Sequence, residues 1–191
     1  MAVESSPAAI VLVGFMGAGK TSVGRALARI LQWQFEDLDD RIECRERRRV
    51  EQIFRESGES AFRDAETAAL KELLAESQRG SPAVVALGGG AFAQPGNVKL
   101  IQAAGVSSVY LHAPVEELWR RCCNQRGHQR PLARTFDQFR QLFRAREGFY
   151  VRASLCQPTD GKTVRELAHE LARKLEVRTK HKPDRKGGEQ N

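Results

Sequence analysis

The sequence predicts an α/β domain in three layers, α/β/α, with a mostly parallel sheet between two sets of helices. Three observations carry this. Short apolar, β-rich runs alternate along the chain with segments whose apolar residues recur at helical spacing. Strands separated by helices pair in parallel and are covered on both faces. Right-handed crossovers between them then close the layers. The length, 191 residues with 41% hydrophobic side chains, suits one domain with a real core.

The first strand is expected at Ile10–Val13, a short apolar run that ends in glycines. From Thr21 the residues Val23, Ala26, Leu27, Ile30 and Leu31 fall on one helix face. Phe35–Leu38 reads as a second short strand. Charged helical segments follow over Asp40–Arg47 and Glu51–Glu56, then Ser60–Leu74 with Phe62, Ala65, Ala69 and Leu73 on one side. Ala83–Leu87 reads as a strand, Pro95–Ala104 as a helix begun by proline, and Ser107–Leu111 as a strand. Val115–Cys122, Asp137–Ala153 and Val164–Leu175 close the chain as helices. The polar tail Val177–Asn191 has no apolar period and is expected to be disordered.

The most specific signal is Gly14-Phe15-Met16-Gly17-Ala18-Gly19-Lys20-Thr21, a full G-x-x-x-x-G-K-[ST] between a strand and an amphipathic helix. Glycines let successive N–H groups converge on an anion, and the helix N-terminus adds positive potential. Lys20 can reach the β/γ-phosphates, and the Thr21 hydroxyl can ligate Mg²⁺. The motif leaves the phosphoryl acceptor unspecified.

Asp37 and Asp39, two apart at the end of the second strand, are expected to share a face. One could support the metal and the other accept a proton from an attacking hydroxyl. The alternative is a helix N-cap, a role that Asp40 fits best, which leaves Asp39 for chemistry. Gly88-Gly89-Gly90 follows a strand and offers bare backbone where α/β ligands bind, or else a plain turn. That strand lacks the acidic end of a motor ATPase. Arg63 could simply pair with Glu66 at i,i+3.

The charge is lopsided, with 23 Arg against 8 Lys and a net +7. Nine of the arginines lie in Arg120–Arg152 against only Asp137 and Glu147, and Arg120–Arg134 reads as a loop suited to a lid. Charge gathered in one segment suits a small anionic ligand better than a long polyanion, so no nucleic-acid partner is expected. No run is long enough to span a membrane. The start lacks a basic signal-peptide region, and Cys44, Cys122, Cys123 and Cys156 show no metal or disulfide spacing. A cytoplasmic monomer is the expectation.

Taken together, GFMGAGKTSVGRALA at Gly14–Ala28, Asp37-x-Asp39, IF-x3-GE-x2-FR-x2-E at Ile53–Glu66, LGGG at Leu87–Gly90, RPL at Arg130–Leu132 and R-x3-Y at Arg146–Tyr150 resemble the shikimate kinase family in order and spacing. The resemblance implies a P-loop kinase fold of the nucleoside-monophosphate-kinase type. Its five-stranded parallel sheet would run in the order 2-3-1-4-5, with a substrate-binding segment near residues 39–66 and a lid near 120–136, all within 1–176. It implies ATP-dependent phosphorylation of the 3-hydroxyl of shikimate, a step toward chorismate and the aromatic amino acids.

Carried over, Gly17, Ala18, Gly19, Lys20, Thr21 and Ser22 would bind ATP phosphates, with Thr21 and Asp37 at Mg²⁺. Asp39 would be the base. Arg63, Arg146, Gly89 and Gly90 would hold the acceptor carboxylate. Arg130 would be the lid arginine and Lys162 an adenine-side contact. The chain departs from the family pattern at Arg47, where a Gly usually ends the helix, at Ala133 after RPL, and at Glu147-Gly148-Phe149 for x-Pro-Leu. The expected lid is also a little long. A gluconate-type kinase is the nearest alternative, though it would have less need of the Arg63/Arg146 clamp. A nucleotide- or RNA-binding regulator is the alternative from another class.

Overall fold

A computed structural model describes residues 9–124 and 135–175. The element order is β1 (Ala9–Val13), α1 (Lys20–Leu31), β2 (Gln34–Asp37), α2 (Leu38–Glu46), α3 (Val50–Gln78), β3 (Ala83–Ala86), a 3₁₀ turn (Ala91–Ala93), α4 (Pro95–Ala103), β4 (Ser107–His112), α5 (Val115–Asn124), α6 (Phe136–Tyr150), β5 (Leu155–Pro158) and α7 (Val164–Lys174). The five strands form one sheet in the order β2-β3-β1-β4-β5, and every pairing is parallel. The expected 2-3-1-4-5 order is therefore observed.

All of β1 and β3 is buried, as continuous apolar runs in a doubly covered parallel sheet must be. α1 packs against α7, β2 and β3, while α3 packs against α2, α4 and β1. Because β1 is central, the carboxyl ends of β1, β2 and β3 deliver Gly14, Asp37 and Gly88 to the same edge, where open α/β sheets bind ligands.

Periodicity alone gave four strands, and the structure adds β5. Leu155-Cys156-Gln157-Pro158 carries one Leu, a buried Gln157 and a terminal Pro, so its sequence lacks the apolar run that marks the others. It pairs with β4 at the sheet edge, where a Pro is tolerated. Two boundaries also move. Leu38 opens α2 rather than ending β2. Residues Arg120–Asn124 of the expected lid are the last turn of α5, and Thr135 caps α6, which starts at Phe136.

The expected pair of helices over Glu51–Glu56 and Ser60–Leu74 is observed as the two halves of α3, which meet at a kink at Gly58, whose φ 80, ψ 175 is non-helical. None of the four cysteines forms a disulfide. Among the described residues, no helix is long and apolar enough to cross a membrane.

Candidate active site

The loop from Gly14 to Gly19 is a phosphate cradle in its geometry as well as its letters. Gly17 and Gly19 hold φ 81 and 88, values that L side chains rarely adopt. A Cβ on Gly17 would also sit 2.6 Å from the Leu118 carbonyl. No side chain caps α1, so its first N–H groups stay available for an anion at the positive end of the helix. Phe15 packs edge-on against Phe139 and Phe143 of α6, at 4.9 and 5.5 Å. The loop and α6 are thereby fixed to each other.

Lys20 begins α1, and its Nζ donates to the carbonyls of Gly14 (2.9 Å) and Phe15 (3.2 Å). Burial holds the ammonium below the usual lysine range, while the charges of Asp39 and Asp37 pull it back up. Thr21 Oγ1 donates to Asp37 Oδ2 at 3.1 Å, which sets a hydroxyl and a carboxylate side by side at the end of β2.

The two aspartates meet differently from the expected strand alternation. Asp37 is itself the N-cap of α2 and accepts from the Asp39 N–H at 3.2 Å. Asp39 lies in the first helical turn, and Asp40 does not cap. A strand reading placed both carboxylates on one face, whereas a cap brings them together across a turn. The environment of Asp39 suits a base: burial, then the Asp37 charge, raise it to about 6, with Lys20 opposing. Burial also raises Asp37, against the bonds from Thr21 and the Asp39 N–H.

Gly88, Gly89 and Gly90 then show why bare backbone stands here. A Cβ on Gly88 would lie 2.7 Å from Asp39 Oδ1, one on Gly89 3.3 Å from Arg146 Nη1, and one on Gly90 2.8 Å from Arg63 Nη2. Three consecutive residues thus face three functional groups from α2, α6 and α3. Arg63 is held by Glu66 at 2.9 Å and Glu59 at 3.1 Å, and Glu66 is only 1% exposed. The i,i+3 pair foreseen from sequence exists, and it aims the guanidinium at Gly90 rather than merely solvating it. Phe62, a core residue, stacks on Phe54 at 4.4 Å and lies under Arg63 at 5.1 Å.

On the other side of the phosphate loop an open cleft of ≈ 620 Å³ is lined by Gly17, Ser22, Arg120, Arg121, Thr159 and Lys162, among others. Arg121 donates to Thr159 Oγ1 (2.9 Å) and Thr159 O (3.1 Å) and pairs with Glu117. Sequence reasoning had set Arg121 in the lid. Only the knowledge that α5 continues to Asn124 could have placed it on this wall. Lys162 stands at the rim with its Nζ on Glu170. Arg130, expected at the lid, lies outside the described residues, as does the tail.

Comparison with known proteins identifies the family. The family model for shikimate kinase matches residues 16–176. A shikimate kinase of Cereibacter sphaeroides is 41% identical over 172 residues, which are 88% of this chain and 83% of that protein. One of Ruegeria pomeroyi is 43% identical over 157 residues, 81% of this chain and 77% of its own. The solved shikimate kinase from Acinetobacter baumannii in complex with shikimate superposes with a TM-score of 0.79 at 35% identity, covering 90% of this chain and 94% of that one. A gluconokinase from Sinorhizobium meliloti, 21% identical with a TM-score of 0.61, shares the fold alone. A match running from the phosphate loop past the end of α7, at 41–43% identity over most of the chain, establishes that this chain belongs to the shikimate kinase family of ATP-dependent kinases.

Proposed function

We propose that this chain transfers the γ-phosphoryl group of ATP to the 3-hydroxyl of shikimate, giving shikimate 3-phosphate and ADP. The observation that carries this is the placement of Asp39, Arg146 and Arg63 against Gly88, Gly89 and Gly90, beside Lys20. A base and two guanidinium forks around one glycine turn match a carboxylate acceptor that also carries a reacting hydroxyl.

Gly17, Ala18, Gly19, Lys20, Thr21 and Ser22 bind the ATP phosphates. Lys20 exchanges its carbonyl partners for phosphate oxygens and neutralises charge as the phosphoryl group moves. The nucleoside lies in the ≈ 620 Å³ cleft beside Arg121, with Lys162 at the rim. Thr21 and Asp37 provide hard oxygen donors, the set that Mg²⁺ prefers. Mg²⁺ held by these two residues would supply positive charge to offset the negative charge of the phosphates.

Arg63 and Arg146, with the backbone of Gly89 and Gly90, grip the acceptor carboxylate and turn its hydroxyl toward Asp39. Asp39 accepts the hydroxyl proton as the new P–O bond forms, and a base poised near neutrality suits that step. Arg130, which the family resemblance makes the lid arginine, would supply a guanidinium to ATP. The chain acts as a monomer.

Coupled ADP release with shikimate, quinate, gluconate and nucleoside monophosphates tests the reading. Shikimate alone should stimulate release strongly, and the absence of that stimulation overturns the assignment.

A further inference from the structure

We infer that Tyr150 is a positioning residue for the acceptor carboxylate, holding the Gly89–Gly90 peptide and the Arg146 guanidinium in register with each other. The inference rests on the functional reading above and deepens it. Tyr150 ends α6 and is fully buried, and its phenol donates to the Gly89 carbonyl oxygen. No peptide in the described chain is cis. In a trans peptide the C=O and the next N–H point in opposite directions, so anchoring the Gly89 oxygen also fixes where the Gly90 N–H points. Glycine peptides are the freest in any loop, and Tyr150 is the only side chain among the described residues that bonds the backbone of Gly89 or Gly90.

The neighbouring contacts make the tie a rigid one. The Tyr150 ring stacks on the buried Tyr110 ring at 5.5 Å. Ala91, just past the glycines, is held separately by Asn97 Nδ2 at 3.1 Å, and Asn97 by Thr67 at 2.9 Å. Arg146 lies one turn before Tyr150 on the same helix face. A Cβ placed on Gly89 would meet Arg146 Nη1 at 3.3 Å and Tyr150 Oη at 3.7 Å. One phenol thus touches both a peptide and an arginine of the carboxylate cradle. Burial pushes its ionisation up to about 12, against the pull of the Arg146 charge, so it remains an O–H donor at any working pH.

The test is Tyr150→Phe, which keeps the ring and its packing. Two acceptors are compared: shikimate, and its analogue with the carboxylate replaced by hydroxymethyl. Wild-type turnover of shikimate is measured first, so that failure of the functional reading is seen independently of the variant. We expect kcat/KM for shikimate to fall about tenfold, the size of one lost hydrogen bond of about 1.4 kcal/mol. The fall should sit in the shikimate KM, with the ATP KM unchanged, and shikimate binding without nucleotide should weaken in parallel. For the analogue the Tyr150→Phe penalty should vanish, because no carboxylate is left to be positioned. Equal losses with both acceptors, a rise in the ATP KM matching that for shikimate, or an unchanged shikimate KM would each overturn the inference.

Discussion

Gly90→Ala separates the geometry of the acceptor cradle from the stability of the fold. The added Cβ would lie 2.8 Å from Arg63 Nη2, 2.9 Å from Nη1 and 3.1 Å from Cζ. Ordinary contact begins at about 3.4 Å, so the guanidinium must retreat by roughly 0.6 Å. It cannot do so freely, because Glu66 and Glu59 hold its nitrogens at 2.9 and 3.1 Å and Phe62 lies under it at 5.1 Å. Losing one charge-assisted bond to the acceptor costs about 1.5–3 kcal/mol. At about 1.4 kcal/mol per decade, the shikimate KM should rise about 10- to 150-fold. The backbone itself does not object, since Gly90 holds φ −106, ψ −16, a conformation Ala adopts readily. The unfolded-state gain of about 0.4–1 kcal/mol from replacing a glycine is offset by the cost of displacing the paired Arg63 guanidinium. A variant that stays folded at the assay temperature yet binds shikimate far more weakly is the expected outcome. The assay is coupled ADP release against shikimate at saturating ATP, beside a thermal melt. An unchanged shikimate KM, or an ATP KM that rises in step, refutes the placement of Arg63 on the acceptor.

Other expectations follow from the same contacts. Asp39→Asn should lower kcat by about 10²- to 10⁴-fold, as for loss of a general base, with ATP affinity little changed by equilibrium binding; equal losses in both would make Asp39 structural. In the metal-free protein Asp39 is raised to about 6 from 3.8. The native state therefore binds more protons than the unfolded chain between those values, and stability should fall as pH rises from about 4 to 6. Asp39→Asn should flatten that slope in urea titrations across this range, and an unaltered slope counts against the raised value. Arg47, the α2 C-cap, holds φ 52, ψ 31, a left-handed conformation that costs a non-glycine residue about 1–2 kcal/mol. Arg47→Gly should stabilise by about 0.5–1 kcal/mol net of glycine's own entropy, read as a rise in urea midpoint. Tyr110 Oη is buried and has no hydrogen-bond partner among the described residues. Tyr110→Phe should therefore hold or raise stability by about 1 kcal/mol, where loss of a satisfied hydroxyl would lower it.

What the sequence made legible was local. The phosphate loop could be read because its chemistry is contiguous: one turn, one helix N-terminus, one Lys-Thr pair. The sheet was legible where strands are apolar throughout, as β1 and β3 are, and illegible at β5, whose edge position asks for no apolar run. Asp37 and Asp39 do come together, but a cap and a first turn, rather than the expected strand alternation, bring them there. The acceptor cradle shows the deeper limit. Gly88, Gly89 and Gly90 look like a plain turn until α2, α6 and α3 bring Asp39, Arg146 and Arg63 against them from 49, 57 and 27 residues away. No local pattern encodes such a meeting, and only the ordered set of family motifs pointed to it. The arginine excess sharpens the same point. Arg120 and Arg121 share Glu117, and Arg140 pairs with Asp137, each about one turn away, so the charge that stood out in the sequence is partly offset on its own helices. The arginines proposed for the acceptor, Arg63 and Arg146, are distinguished by the backbone they face rather than by the number of their neighbours.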